Sequence, residues 1–190
     1  MSLILVAILV IAALFIVWGV GLYNALVRLK HGVGKAWANI DVLLKQRHEE
    51  LPKLVDTCKQ YMQYEQGVLE SVIGARNAVH QAKEAHDLGA LGQAETGLRS
   101  GLGKLFALAE NYPELKANEN FQFLQQRIAS LESAIADRRE LYNEAVNLNN
   151  VRIEQFPDVL IARWFGFAAA ELLRFSEAET ADVNIRNLFG

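Results

Sequence analysis

Cysteine is all but missing from this 190-residue chain: Cys58 stands alone, so no intramolecular disulfide braces the fold. The same scarcity leaves no cysteine pair of the kind structural zinc sites use. Proline occurs three times, at 52, 113 and 157, and leaves long stretches without a helix breaker. Strand-like alternation of apolar and polar residues is absent, as is any repeat of 20–50 residues, so neither a sheet nor a solenoid is indicated. Clustered Lys and Arg are missing too. The 19 basic residues are spread among 22 acidic ones for a net charge of −3, which excludes nucleic acid as a partner. Charged residues make up 22 % of the chain, which is the composition of a packed helical protein rather than a disordered one.

The most informative absence lies at the start. From residue 2 to residue 22 there is no charge, and the run is almost wholly aliphatic. About 20 helical residues at ~1.5 Å each cross a hydrocarbon layer of ~30 Å. Trp18 and Tyr23 fall where one interface belongs, and Arg28 and Lys30 follow in water. A cleavable signal peptide has a basic start, a shorter apolar run and small residues at its exit, and none of these is present. A buried core helix is rarely apolar on every face for this length. Residues 1–22 are therefore expected to be an uncleaved transmembrane anchor in contact with the lipid bilayer. Basic residues occur after the span (Arg28, Lys30, Lys35) and not before it, which favours a cytoplasmic bundle, with the other side left open.

Beyond the anchor the periodicity is helical. Val33, Trp37, Ile40, Leu44, Leu51, Leu54, Cys58, Tyr61, Val68, Val72 and Val79 recur at three- and four-residue steps, with Lys45, Arg47, Glu49, Glu50, Lys53 and Lys59 off the stripe. This predicts one long helix over about 33–88, with a possible kink at Pro52. A second helix is expected over about 91–111; its interior glycines 97, 101 and 103 each cost roughly 1 kcal/mol relative to Ala and let a neighbour approach closely. A third, over about 117–156, carries Phe121, Leu124, Ile128, Leu131 and Ile135 at coiled-coil spacing. Asp158 is suited to N-cap a fourth, apolar and aromatic helix over 158–175, and a polar tail fills 176–190. The fold class is thus all-α: a transmembrane helix continuing into a long antiparallel bundle spanning 23–175. Between residues 23 and 33 no flexible Gly/Ser linker occurs, so the span is expected to run almost directly into the first bundle helix.

Residues that carry chemistry are few. His80 and Glu84 share a helix face, but there is no Glu-x-x-His, no His-Glu-x-x-His and no cysteine pair. His31, His48, His80 and His86 are expected to be surface histidines. No Gly-x-Ser-x-Gly is present, and Cys58 falls on the apolar stripe as a small core residue. Gly101-Leu102-Gly103-Lys104 has neither the loop length nor the preceding strand of a phosphate cradle. No catalytic, cofactor-binding or metal-binding residue is therefore assigned. Two features stand apart. Arg138, Asn143, Asn147 and Asn150 lie on or beside the third-helix stripe, where buried amides set register more often than they bind a ligand. The segment 159–175 is the fourth bundle helix, an interfacial helix or a surface for another copy.

These residues bring a family into view. The chain resembles the LemA family of bacterial membrane proteins through Tyr23-Asn24-Ala25-Leu26-Val27 and through AWANIDVLLKQRHEELPKLVDTCKQY over 36–61. The likeness continues with ENYPELKANENFQFLQ over 110–125 and closes with Leu141-Tyr142-Asn143, Asn149-Asn150 and Phe156-Pro157. It implies a single N-terminal span, an antiparallel bundle, Pro52 as a regular part of the first long helix, and no established activity or cofactor. One departure is Asn149-Asn150, where the family usually shows a second Tyr-Asn. The expected function is a non-enzymatic, self-associating scaffold at the bacterial cell membrane. The alternative is an adaptor or sensor that recruits another envelope protein, and an unrecognised enzyme ranks below both.

Overall fold

The computed structural model describes residues 3–174. Six helices follow one another among them: α1 (Leu3–Lys59), α2 (Gln66–Glu84), α3 (Leu88–Ala109), α4 (Pro113–Lys116), α5 (Glu119–Glu154) and α6 (Asp158–Phe165). No strand occurs among the described residues, so the all-α expectation holds. The helices make two compact units: Met1–Ile40 with Arg138–Leu172, and Asp41–Asp137 with Leu173–Gly190.

The first unit contains the apolar start of α1. Its large side chains from Leu3 to Val20 are 43–89 % exposed. A core helix would bury such a surface. This one buries none of it, and it is long and apolar enough to cross a membrane. Partners begin at the end of the apolar run. Leu26 is fully buried with Ile153 and Ala162, and Ile161 and Phe167 pack against them. Higher on α1, Trp37 meets Tyr142 with ring centroids 5.7 Å apart. Ascending positions on α1 thus meet descending positions on α5 and α6, which makes the pairing antiparallel. The expected passage of the span into the bundle is observed, since α1 continues unbroken through Gly32 and Gly34.

The second unit is built on the far part of α1 with α2, α3, α4 and the first half of α5. Leu51, Leu54, Cys58, Leu91, Leu105 and Ile128 are among its fully buried side chains. Each such leucine or isoleucine contributes roughly 1.5–3 kcal/mol on leaving water. The α2–α3 hairpin turns at His86, which takes a positive φ of 55°. Asp87 then caps α3 by accepting from the Ala90 N–H at 2.8 Å.

The expected helix over 33–88 is in fact two helices, separated between Lys59 and Gln66. Long-range contacts make this turn. Met62 is buried and its N–H donates to the Cys58 carbonyl at 2.9 Å, the Tyr61 hydroxyl accepts from Asn118 at 3.1 Å, and Tyr112 donates to Glu65 at 3.4 Å. No glycine or proline marks it, and the apolar stripe carries through it, so periodicity alone does not see it. Pro52 lies inside α1, which continues past it. The second helix starts earlier than expected, at Leu88 rather than 91, because Asp87 supplies the cap. The third is preceded by the one-turn α4 and ends at Glu154. The fourth is much shorter than 158–175. It stops at Phe165 because Gly166 adopts the left-handed conformation that closes a helix, and residues 167 to 174 have no regular secondary structure. Asp158 is not the N-cap but the first helical residue, where it accepts from Arg152 Nε at 2.7 Å. Phe175 and the expected tail over 176–190 lie outside the described residues.

Candidate functional site

In the second unit a charged cluster lies inside the helix core. Arg47 on α1 is 1 % exposed and donates to Glu95 on α3 and, at 2.5 Å, to Glu132 on α5. Glu132 also faces Arg99, one turn beyond Glu95 on α3, at 3.6 Å. Two cations thus balance two anions. Burial disfavours the Arg47 charge, but the two carboxylates outweigh burial and hold its pKa above the ordinary arginine value. A network of this kind is closed to ligands: each carboxylate is engaged by a guanidinium.

Next to it, α1 and α2 bring two histidines together. His48 and His80 have ring centroids 4.7 Å apart and border a cavity of about 390 Å³ whose walls include Asp41, Lys45, Lys83 and Glu84. Arg76 grips His48 twice, through Nε to the backbone carbonyl at 3.0 Å and through a terminal nitrogen to Nε2 at 2.7 Å. Because guanidinium nitrogens only donate, His48 Nε2 must accept, and the ring is neutral with its proton on Nδ1. Burial, then the nearby Arg76, His80 and Lys83 charges, lower the His48 pKa accordingly. Lys83 bridges Asp41 at 2.9 Å and Glu84 at 3.3 Å. Among the described residues no three His, Cys, Asp or Glu side chains are grouped to hold a metal ion.

In the first unit α5 clasps the irregular segment that follows α6. Asn150 accepts from the Ala170 N–H and donates to the Ala170 carbonyl, both at 2.8 Å, much as a neighbouring strand would. Asn149, itself buried, donates to Asn150 Oδ1 at 3.2 Å and orients it. Tyr142 donates to the Glu171 carbonyl at 2.8 Å. The outward side of α5 exposes Leu141, Leu148 and Val151 among polar residues such as Glu144 and Asn147. A groove of about 490 Å³ beside them is lined by Ala25, Leu29, Leu148 and Val151 with Arg28, Arg152 and Gln155. On α6, Leu160 and Trp164 are exposed on the face opposite the buried Asp158 and Ala162, and Phe156 is exposed just before the helix.

Of the residues singled out from sequence, Asn150 grips the backbone of Ala170. Arg138 and Asn147 are exposed. His31 and His86 are exposed as expected, whereas His48 is half-buried and partnered. Cys58 is fully buried, and burial pushes its thiol up to about 12. Gly101-Leu102-Gly103-Lys104 lies within α3. The expectation that missed furthest is Arg47, taken as off the apolar stripe and found in the core. Its one sequence signal is its place four residues before Leu51 and three after Leu44, on the buried side of the helix.

Comparison with known proteins follows the same lines. A sequence model of the LemA family matches residues 36–186. The magnetosome protein MamQ 2 of Paramagnetospirillum magneticum (strain AMB-1) is 24 % identical over 186 residues, covering 86 % of this chain and 68 % of that protein. The magnetosome protein MamQ of Magnetospirillum gryphiswaldense (strain MSR-1) matches with the same identity and coverage.

Proposed function

The chain belongs to the LemA family, and from that premise we propose that it is a non-enzymatic, membrane-anchored scaffold whose copies associate with one another. The observation that carries this reading is the exposed apolar stripe on α5. Leu141 and Leu148 are seven residues apart and Val151 is three further on, the spacing at which helices pair side by side. The groove next to this stripe, between Ala25 and Leu29 of α1 and Leu148 and Val151 of α5, offers room for side chains of a second copy. Tethering through α1 confines copies to one membrane and raises their effective concentration, so a modest apolar contact suffices.

The absence of an enzymatic role is supported by the chemistry of the polar groups. Arg47 is engaged by Glu95 and Glu132, the acceptor nitrogen of His48 is taken by Arg76, and the Cys58 thiol is buried with a high pKa. That the relatives are named for an organelle rather than a reaction supports a structural role as well. Arg28, Lys30 and Lys35 follow the span, so the bundle of this bacterial protein faces the cytoplasm in this reading.

Mass measurement of the full chain in detergent or lipid nanodiscs tests the proposal. A dimer or larger species is expected, reduced to monomer by Leu148→Glu. A monomer at micromolar concentration for the native chain overturns it. Crosslinking in native membranes that recovers only a different protein favours the adaptor reading instead. Protease added to intact cells should leave the bundle uncut.

A further inference from the structure

We propose that the C-terminal end of α6 is an interfacial anchor, with Leu160 and Trp164 seated in the surface of the same bilayer that α1 spans. The argument begins at Tyr23, the first residue after the uncharged run of α1. Its ring meets Phe165 at a centroid distance of 4.8 Å and Phe167 at 5.7 Å, so the end of α6 lies level with the end of the apolar run. Three residues further along α1, about 4.5 Å at the helical rise, Leu26 packs on Ala162 and Ile153. The first charge on α1, Arg28, is about 7.5 Å beyond Tyr23 on the same measure. Each headgroup layer of a bilayer is about 5–7 Å deep, half the difference between its full and hydrocarbon thickness. The end of α6 from Ala162 to Phe165 therefore falls within that layer when α1 is in the membrane, and Leu160, about 7.5 Å from Phe165 at the helical rise, lies at its outer edge.

The surface chemistry of α6 fits this position and no aqueous one. One face, Ala162 and Ile161, is used up against α1 and α5. The other still exposes Trp164 at 84 %, Phe156 at 80 % and Leu160 at 60 %. A helix that is apolar on both faces has no side suited to water. Trp is the residue best suited to the headgroup layer, since its indole offers an apolar ring and one N–H donor. Charges on α6 do not oppose insertion. Asp158 is buried and paired to Arg152, and Arg163 has the length and sign to reach lipid phosphates. The apolar surface of α6 is also continuous, through Tyr23, with the lipid-exposed surface of α1. This inference stands apart from self-association, which rests on the outer stripe of α5.

Site-directed spin labelling of the full chain in phosphatidylcholine/phosphatidylglycerol vesicles tests it, in a Cys58→Ala background. Labels are placed singly by Leu160→Cys, which retains Trp164, and by Trp164→Cys. Leu14→Cys serves as the hydrocarbon reference and Glu140→Cys as the water reference. The expected result is collision with oxygen exceeding collision with a water-soluble nickel chelate at 160 and 164, between the two references. Nickel accessibility equal to that at 140 overturns the proposal. So does protection from both reagents with dipolar broadening between labels, which would identify a second copy as the cover.

Discussion

Arg47 and Glu95, 48 positions apart in the chain, form an ion pair in which 1 % and 4 % of the two side chains remain exposed. Removing water from both charges is costly, and the pair holds only because each finds the other along with Glu132 and Arg99.

Glu95→Ala leaves the buried Arg47 guanidinium with Glu132 alone and one donor unsatisfied, and is expected to destabilise the fold by about 1–3 kcal/mol. Arg47→Met combined with Glu95→Leu should cost far less than the sum of the single changes, because Glu132 keeps Arg99 as a partner. Denaturant unfolding of the four proteins in detergent measures the coupling. Additive effects would mean the pair is not coupled.

Asn150→Ala should release the segment after α6 from α5. The Ala170 N–H and carbonyl each lose a partner, at about 1–3 kcal/mol for a group left unsatisfied. Amide exchange at Ala170 and tryptic cleavage after Arg174 should both accelerate. The Asn150→Asp variant keeps the acceptor but loses the donor to the Ala170 carbonyl, and should fall between native and Ala.

The glycines of α3 separate by environment. A Cβ at Gly97 or Gly103 meets open space, so alanine there should stabilise the protein by about 0.5–1 kcal/mol through backbone entropy. At Gly101 a Cβ would lie 3.4 Å from Val72 Cγ2 on α2, and a branched residue goes beyond contact into clash. Gly101→Val should therefore lower the melting temperature while the two alanine variants raise it.

Acidification should weaken the second unit through His48. Its folded pKa is lowered, so above the ordinary histidine value of about 6.5 both folded and unfolded forms are neutral. As pH falls through that value the unfolded chain takes up the proton first, and stability falls with it. The groups facing His48 are Arg76, His80 and Lys83 from α2 and Glu49 from α1, and only Glu49 opposes the shift. Melting temperature measured from pH 8 to pH 5 should drop more in the native protein than in His48→Gln. Equal slopes would remove His48 as the cause.

Local sequence determined the span, the helical class and most of the core. An uncharged apolar run of bilayer length has few physical solutions, and a 3.6-residue stripe has one. Leu51, Leu54, Cys58 and Ile128 were therefore legible as buried from spacing alone. Tertiary structure decided what spacing does not encode. The turn after Lys59 has no glycine or proline to announce it and exists because Tyr61 and Glu65 find partners far along the chain. The apolar composition of residues 159–175 suits a helix throughout, and the helix ends at Phe165 because of Gly166 together with the grip of Asn150 on Ala170. Arg47 reads as solvent-facing by residue type, since a charge enters a core only where opposite charges already wait for it. Those charges come from α3 and α5, and their convergence is a property of the folded chain.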